Sequence, residues 1–285
     1  MFTFGSIIFL TYMKDIFATY YLRKGNLMKA NIIIRMLALA LLVVISFSSC
    51  TQKPSGTELP SMGSGENRLT PDSSKIADFS KGAPEGFWAR NDRGNGHPFN
   101  CAFYRSNAVI SDGLLTISLT KGDDRYIGAE YRSNDRFSYG YYSVSMKAAK
   151  GEGVISSFFT YTGWPWDEID IEFLGDDTTR VQFNYYTNGV GGHEYIYHLG
   201  FDASLEFHEY AFDWQKDSIT WYVDGRAVYK ATKNIPSTPG QIMVNIWNVA
   251  DTNKDWAGKF NESCLPTSAQ YQWIGYQGET YASDR

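Results

Sequence analysis

Beyond about residue 100, the chain alternates apolar and polar residues in short runs separated by turn-forming residues. Such alternation is typical of β-strands, because successive side chains of a strand point to opposite faces. No long stretch repeats apolar residues with the period of a helix. The pattern predicts strands at Leu114–Thr120, Tyr139–Lys147, Val154–Thr162, Arg180–Thr187, Glu206–Trp214 and Gln241–Trp247.

The segment Ile219–Lys230, ITWYVDGRAVYK, has the pattern of a β-hairpin. Ile219, Trp221 and Val223 fall on one face of its first strand, and the Asp-Gly pair that follows supplies a two-residue turn. Many short strands without intervening helices predict an all-β sandwich or barrel and exclude a fold of alternating strands and helices.

The motif WDEIDIEFLG, which begins at Trp166, is the most informative stretch of the chain. Its alternation predicts a strand with Glu168, Asp170 and Glu172 on one face and three apolar side chains on the other. We call these three carboxylates the acidic row. Each negative charge in the row raises the cost of ionising the next one, so the arrangement requires an explanation.

Three interpretations of the acidic row are open. The carboxylates could pair with basic residues on an exposed face, bind a hard cation such as calcium, or catalyse a reaction. The surrounding residues are mostly aromatic rather than basic, which disfavours the ion-pair interpretation. They are Trp164, Trp166 and Phe173 beside the row, and Phe159, Tyr161, Asn184, Tyr186 and Trp247 on neighbouring predicted strands.

Glycoside hydrolysis is a reaction that uses such a row, because it needs one carboxyl group as acid and another as nucleophile or base. Crowded like charges keep one group protonated near neutral pH. When the sugar consumes the nucleophile, that charge disappears and the pKa of the acid falls, so the acid can then act as base. Strand residues four apart have Cα atoms about 13 Å apart. A retaining pair needs its carboxyl groups about 5–5.5 Å apart, so both Glu side chains must lean inward.

Residues 1–50 differ from the rest and are predicted to be an N-terminal extension plus a signal peptide. Lys29 and Arg35 precede an apolar run from Met36 to Phe47, which is the layout of a secretory signal. The small residues before Cys50 resemble a bacterial lipoprotein signal, so Cys50 is the expected lipidation site. An uncleaved anchor is the alternative, but the apolar run is short for a membrane span.

Residues 51–75 are rich in Pro, Ser and Gly, which predicts a flexible linker before a domain at residues 76–285. A lipidated cysteine followed by a polar linker describes an exported domain held at the outer membrane or cell surface, with secretion as the alternative. Translation is expected to start at Met28, which makes residues 1–27 an upstream extension.

The charge balance limits the partners of the domain. Without residues 1–50, 21 Lys and Arg stand against 30 Asp and Glu, a formal charge of −9. This charge disfavours nucleic acid and polyanionic glycans and favours neutral partners. The histidines and cysteines show no metal-ligand spacing, so no metal site is predicted. Cys101 and Cys264 can form one disulfide in an oxidising compartment, although their spacing does not show that they meet.

Together with three further segments, the acidic motif closely resembles the bacterial lichenases, the endo-1,3-1,4-β-glucanases of glycoside hydrolase family 16. The resemblance extends from about Gly86 to Tyr276. It implies a jelly-roll β-sandwich of the concanavalin A-like kind, a concave sheet that binds β-glucan, and cleavage with retention. It also implies a monomer that needs no cofactor for catalysis. The three segments are VQFNYYTNGVGGHE from Val181, FHEYAFDW from Phe207 and IPSTPGQIMVNIWN from Ile235.

The resemblance implies a role for each acid of the row and for residues around it. Glu168 is the implied nucleophile, Glu172 the general acid/base, and Asp170 the assisting carboxylate that orients Glu168. Glu130 and Arg132 are implied to bind sugar hydroxyls, although Arg132 has an alternative role as an internal partner of Glu130. The other implied substrate contacts are the aromatic residues Phe159, Tyr161, Trp166, Tyr186, Trp247 and Trp256 and the polar residues Asn95 and Asn184; the alternative for each is packing, most seriously for Phe159 and Asn95.

The chain also departs from the family pattern at four places, one of which is Arg93, where a tyrosine of the family's cleft is usual. Gly128 stands where the usual partner of the cysteine matching Cys101 would be, so the usual disulfide is absent. Gln272 replaces a carboxylate of the family's structural calcium site, which argues against that calcium. The loop Gly163–Trp166 before the acidic row is shorter than usual, so the rim of the cleft differs there.

The leading hypothesis is therefore hydrolysis of β-1,4 bonds next to a β-1,3-linked glucose in mixed-linkage β-glucan. Within the same class, a laminarinase-like β-1,3-glucanase is the alternative, and transglycosylation would use the same residues. From a different class, the alternative is a non-catalytic glycan-binding lipoprotein. The intact acidic row argues against the last, because a binder has no use for three crowded acids.

Overall fold

The computed structural model of the protein describes residues 57–58, 75–92 and 94–281. These residues form strands almost throughout, with one short helix, α1 (Lys254–Ala257), and brief 3-10 turns at Phe79–Lys81, Arg105–Asn107, Asp251–Asn253 and Glu262–Cys264. The strands are β1 (Thr57–Glu58), β2 (Lys75–Asp78), β3 (Phe87–Ala89), β4 (Cys101–Phe103), β5 (Ala108–Ser111), β6 (Leu114–Lys121), β7 (Tyr126–Lys147), β8 (Val154–Tyr161), β9 (Glu168–Leu174), β10 (Arg180–Tyr186), β11 (Tyr195–His198), β12 (His208–Gln215), β13 (Ser218–Val223), β14 (Arg226–Ala231), β15 (Gly240–Asn248) and β16 (Thr267–Tyr281).

The strands form two layers that strand β7 connects. The first part of β7 pairs with β3 and β15, and its last part pairs with β12 and β16. Gly140 lies at the beginning of the last part, where it pairs with Trp214 of β12 and Gly278 of β16, and a Cβ atom there would lie 2.6 Å from the backbone oxygen of Gln277. The missing side chain therefore allows β7 to pass close to β16 where it changes layer.

The first layer has the order β3, β7, β15, β8, β9, β10, β11, and the second has the order β14, β13, β12, β7, β16, β6, β5. Strand β1 extends the second layer beside β14, and β2 pairs with β16. The pairings between described strands are antiparallel except for that of β4 with β7. This arrangement is the all-β jelly-roll sandwich that the sequence predicted.

Large aromatic side chains fill the space between the layers. Phe183 of β10 stacks on Trp221 of β13 at a centroid distance of 5.6 Å, and Phe173 of β9 contacts Tyr210 of β12 edge-on at 4.9 Å. Both pairs join a strand of the first layer to one of the second. Aromatic packing between the layers therefore fixes the position of the strands that carry the acidic row.

Strand β9 has the two faces that its alternation predicted. Ile169, Ile171 and Phe173 are completely buried in the core, where each contributes about 1.5–3 kcal/mol of burial free energy. The acidic row lies on the opposite face, which is the outer face of the first layer. A shift of one residue in the pairing of β9 would bury the acids and expose these apolar residues, so the hydrophobic core specifies the register.

The remaining strand predictions agree with the structure to within a few residues, with two differences. The predicted strand at Tyr139–Lys147 is the last part of the longer strand β7. Thr57 and Glu58, in the predicted flexible linker, pair as strand β1 with β14. The Asp224-Gly225 turn is confirmed, since both residues have positive φ values, 49° and 74°.

Residues 1–50 lie outside the described residues, so the signal peptide and the lipidation of Cys50 stay predictions. Most of the linker at residues 51–75 also lies outside them. In the part of the chain that the structure describes, no helix has both the length and the apolar character needed to cross a membrane.

Candidate active site

The acidic row lies in the middle of the first layer, between β8 and β10. Each acid has one directly paired residue on each neighbouring strand. Glu168 lies between Tyr161 and Tyr186, Asp170 between Phe159 and Asn184, and Glu172 between Ser157 and Gln182. The pairing therefore brings together seven of the predicted site residues on one face of one sheet.

Glu168 is held by the indole of Trp166. The Nε1 atom of Trp166 donates a hydrogen bond to Oε2 of Glu168 over 2.5 Å. The Trp166 ring stacks on Tyr186 at a centroid distance of 4.5 Å and an interplanar angle of 15°. Because this stack limits rotation of the indole, it also fixes the direction of the hydrogen bond to Glu168.

Asp170 is the most buried acid of the row, with 4% of its surface exposed. Its interaction with the Glu168 carboxyl group raises the pKa of Asp170 and lowers that of Glu168, which favours a proton on Asp170. Its backbone oxygen accepts a hydrogen bond from Nε1 of Trp221 over 3.2 Å, which anchors this point of β9 to the second layer. Asp170 is thus a fixed group that can orient the carboxylate of Glu168.

Glu172 is held by an amide bridge. Nε2 of Gln182 donates to Oε2 of Glu172 over 2.8 Å, and Oε1 of Gln182 accepts from Nε1 of Trp256 over 3.0 Å. The Trp256 bond fixes which end of the Gln182 amide faces Glu172. Trp256 therefore contributes to the orientation of this acid as well as presenting part of its own ring to solvent.

Burial raises the pKa of all three acids of the row. It is the largest cause for each of them, and neighbouring carboxylates raise each pKa further. Hydrogen bonds from Trp166 and Asp170 to Glu168, and from Gln182 to Glu172, act in the opposite direction. Crowding of charge, which the sequence suggested as the reason for a retained proton, is thus a smaller cause than removal from water.

A second polar group, which we call the paired cluster, lies on β7 and the segment that follows β3. It consists of Glu130, Arg132 and Arg90. Glu130 is 2% exposed, accepts a hydrogen bond from NH2 of Arg132, and lies 3.5 Å from NH1 of Arg90. The interpretation of Arg132 as an internal partner of Glu130 is therefore confirmed. Asn95 joins the cluster, since its Oδ1 accepts from Arg90.

Two buried polar atoms of the outer face have no hydrogen-bond partner among the described residues: Oδ1 of Asn184 and Nε of Arg132. A buried amide oxygen and a buried guanidinium N–H without partners are costly unless a ligand or water satisfies them. Asn184 lies beside Asp170, and Arg132 belongs to the paired cluster. A ligand that covers this face can satisfy either atom only if the side chain that carries the atom turns toward the surface.

The predicted aromatic contacts fall into two groups. Tyr161, Trp166, Tyr186 and Trp256 keep part of their surface exposed. Phe159 and Trp247 are 7% and 4% exposed, and Trp247 packs on Phe99 at 4.1 Å. The packing interpretation therefore accounts for most of the surface of Phe159 and Trp247.

Sequence reasoning missed three residues that shape this site. Gln182 is two positions before Asn184 on the same strand, so the alternation of the strand places it on the same face as Asn184, which the resemblance implied. Arg90 gives no comparable signal. Asp167 is buried, and its carboxylate accepts backbone N–H groups of Asn188 at 2.7 Å and of Ser237 and Thr238 at about 3 Å. It thereby fixes the loop that carries Trp166.

The cysteines and the suggested calcium position do not contribute to the site. Cys101 and Cys264 are both free thiols, so the disulfide considered from sequence is not formed. Gln272 accepts a hydrogen bond from Ser145 over 2.7 Å and offers an amide in place of a carboxylate. Among the described residues, no cluster of His, Cys, Asp and Glu has a geometry that holds a metal ion.

Comparison with known proteins identifies the same family as the sequence resemblance. Residues 95–274 match the family described as glycosyl hydrolases family 16. A β-glucanase of Paenibacillus polymyxa is 54% identical over 196 residues, which cover 66% of this chain and 82% of that protein. A xylanase/β-glucanase of Ruminococcus flavefaciens is 52% identical over 214 residues, 70% of this chain, but this chain spans only 26% of that protein.

The structural comparison agrees. The crystal structure of a prokaryotic β-1,3-1,4-glucanase (lichenase) from a mouse hindgut metagenome superposes with a TM-score of 0.67. The two chains are 48% identical, and the match covers 70% of this chain and 96% of the other.

Proposed function

Because the chain belongs to glycosyl hydrolases family 16, we propose that it hydrolyses mixed-linkage β-glucan, cutting β-1,4 bonds next to a β-1,3-linked glucose. The observation that carries the proposal is the acidic row. Its three carboxyl groups lie on one face of the sheet, burial raises the pKa of each, and Trp166 and Gln182 hold Glu168 and Glu172 in place. The reaction requires only these side chains and water.

In the proposed reaction, Glu168 attacks the anomeric carbon while Glu172 protonates the departing glycosidic oxygen. A covalent glycosyl ester on Glu168 results, and the shortened chain leaves with its new hydroxyl group. Glu172, now ionised, removes a proton from water, which attacks the same carbon and releases Glu168. Two inversions give retention of configuration at that carbon.

Asp170 supports both steps through its hydrogen bond to Glu168. A protonated Asp170 donates to Glu168 and so stabilises the carboxylate that must attack. Esterification of Glu168 removes its negative charge from the row, which lowers the pKa of Glu172 and favours its change from acid to base.

The proton distribution in the free protein differs from that in the proposed attacking state. Burial raises the pKa of Glu168 to about 8 and that of Glu172 to about 7, so a proton on Glu168 in the free protein must leave before this group can attack. The groups interact, so their protons redistribute when a ligand binds. A glycosidic oxygen that accepts a hydrogen bond from Glu172 keeps the proton there and leaves Glu168 ionised. The roles are therefore assigned from position and hydrogen bonding.

The proposed substrate contacts follow from the exposed groups around the row. Trp166 and Tyr186 present a stacked aromatic surface beside Glu168, suited to the apolar face of a glucose ring. Asn184 and Arg132 offer unpaired polar atoms, and Glu130 and Asn95 complete the polar edge. The mixed-linkage preference is supported by the relatives named above, which are β-glucanases and a lichenase at about 50% identity.

A substrate panel tests the proposal. Release of reducing sugar is measured with barley β-glucan, laminarin and carboxymethylcellulose, and the oligosaccharides from barley glucan are analysed for linkage. We expect activity on barley glucan and products with a β-1,3-linked glucose at the reducing end. Activity on laminarin alone would contradict the mixed-linkage assignment and favour a β-1,3-glucanase.

We also propose that the protein is exported and lipidated at Cys50, which the order of basic, apolar and small residues before Cys50 supports. The test is expression of the full chain and of Cys50→Ser in a bacterium supplied with labelled fatty acid. We expect the unaltered chain to incorporate the labelled fatty acid and to associate with the membrane, and Cys50→Ser to do neither. Equal labelling of Cys50→Ser would contradict lipidation at this residue.

A further inference from the structure

We infer that Trp164 is an additional sugar-stacking residue, which contacts a glucose unit of the same β-glucan chain outside the position where the acids act. This inference rests on the proposed function, since it concerns the same substrate and the same face. It concerns a residue of the short loop Gly163–Trp166, where the chain departs from the family pattern.

The exposure of Trp164 is far greater than packing explains. It is 92% exposed, whereas Trp166 and Trp88 are 37% and 42% exposed. A tryptophan that packs in a core or against a neighbour covers most of its large apolar surface. The ring of Trp164 therefore contributes little to the stability of the domain and is free to contact a ligand.

Trp164 lies at the tip of the hairpin that joins β8 to β9, at the end of the acidic row nearest Glu168. Tyr161 and Glu168 are directly paired at the base of this hairpin. Trp164 is four positions before Glu168 in the chain, so their Cα atoms are at most about 14 Å apart. A glucan chain that occupies the acidic row and extends by a few units past Glu168 comes within reach of Trp164.

Hydrogen bonds hold the hairpin in place. The backbone N–H of Thr162 donates to the oxygen of Asp167 over 3.2 Å, and that of Asp167 donates to the oxygen of Pro165 over 3.1 Å. NH1 of Arg136 donates to the oxygen of Thr162 over 2.9 Å. The buried carboxylate of Asp167 adds its bonds to two further loops. The backbone on both sides of Trp164 is thus fixed, and binding does not have to order it.

An exposed indole on a fixed stretch of backbone suits the ring of a neutral sugar. The C–H groups on one face of a β-glucose unit are apolar and pack on an aromatic plane, while the hydroxyl groups at its edge stay in water. The domain carries a net negative charge, so a neutral glycan is favoured over an anionic one.

The test compares Trp164→Ala and Trp164→Phe with a control variant, Leu205→Ala, in the full chain. Leu205 is 70% exposed and lies in the turn after Asp202, away from the acidic row in sequence and strand order. We expect Trp164→Ala to raise the KM for barley β-glucan about 3- to 10-fold with little change in kcat. We expect the KM of Trp164→Phe to lie between those of Trp164→Ala and the unaltered protein. The KM of Leu205→Ala should equal that of the unaltered protein.

Affinity is also measured directly, by calorimetric titration of barley glucan oligosaccharides of increasing length into Glu168→Gln with and without Trp164→Ala. The loss of affinity should appear only for oligosaccharides longer than a minimum length. An unchanged KM and unchanged affinity at every length, with an unaltered thermal unfolding curve, would overturn the inference.

These outcomes are distinct from failure of the proposed function. If the unaltered protein releases no sugar from any β-glucan, the proposed function fails, whereas the titration still reports whether Trp164 contacts the glycan. If the unaltered protein is active and the Trp164 variants behave like it, the inference alone fails.

Discussion

Two groups of buried carboxylates occupy the first layer, and their environments are opposite. Glu130 of the paired cluster is 2% exposed and contacts two guanidinium groups, those of Arg90 and Arg132. Asp170 of the acidic row is 4% exposed, and among the described residues no Lys or Arg forms an ion pair with it or with its two neighbours. The strands that carry the two groups are separated by only β15 and β8.

The difference in neighbouring charges gives the carboxylates on one sheet face two roles, one structural and one in proton transfer. A buried carboxylate next to guanidinium groups stays ionised and fixes positions, because the neighbouring positive charges replace lost hydration. A buried carboxylate without a cation retains its proton near neutral pH, because ionisation would leave an unpaired charge in a poorly hydrated site. The ion-pair interpretation considered for the acidic row thus describes the paired cluster instead. The absence of a cation at the row is what makes proton transfer available there.

The largest effect is expected from Glu168→Gln. This change keeps the shape of the side chain and its contact with Trp166 but removes the nucleophile, so kcat on barley glucan should fall at least about a thousandfold. The affinity for glucan, measured by titration, should stay within a few-fold of that of the unaltered protein. Hydrolysis at the unaltered rate would show that Glu168 is not the nucleophile.

An intermediate effect is expected from Glu130→Gln, which leaves the two guanidinium groups of the paired cluster without their shared carboxylate. Removing one partner of a buried ion pair costs about 3–5 kcal/mol, so Tm in a calorimetric scan should fall by about 6–20 °C.

Glu262→Gln is the matched control for that experiment. Glu262 pairs with Lys121 over 2.9 Å, but both side chains are more than half exposed. Water solvates both charges after the change, so little shift in Tm is expected. Equal shifts in the two variants would contradict the distinction between buried and exposed pairs.

The smallest effect is expected for the contribution of Glu168 to the pH dependence of the free energy of unfolding. The folded-state pKa of Glu168 is raised to about 8, while that of a Glu in the unfolded chain is about 4.3. Between these values the folded protein holds a proton that the unfolded chain has released, so the free energy of unfolding falls as pH rises. The substitution Glu168→Gln removes the carboxyl group whose proton binding differs between the folded and unfolded states. Its Tm should therefore exceed that of the unaltered protein by several degrees at pH 8 and by little at pH 4.5. If Tm of the two proteins changed in parallel between pH 4.5 and pH 8, ionisation of Glu168 would not destabilise the folded state.

Much of the site was predictable because strand geometry is simple. The alternation in WDEIDIEFLG correctly assigned Ile169 and Ile171 to the core and the acidic row to the outer face. The resemblance implied Asn184 on β10, and alternation along that strand places Gln182 on the same face. Segment resemblance indicated the family, and the match over residues 95–274 confirmed it.

Other features required coordinates, because they depend on contacts between distant parts of the chain. Arg90 is 40 residues from Glu130 in sequence, and no period or motif links the two. Ser237 and Thr238 are about 70 residues from Asp167, whose carboxylate they contact. Sequence also gave too much weight to charge crowding in the acidic row, since burial, the larger cause, depends on all the strands that surround it.

The sequence by itself determined the all-β class, the two faces of β9 and the identity of the three acids, because side-chain direction in a strand follows from position alone. Only the tertiary structure decided which carboxylates are paired with cations, which aromatic rings are buried, and how Trp166 and Gln182 orient the acids. These properties arise from hydrogen bonds and burial across strands that are far apart in the chain. The local pattern of apolar and polar residues does not indicate such contacts.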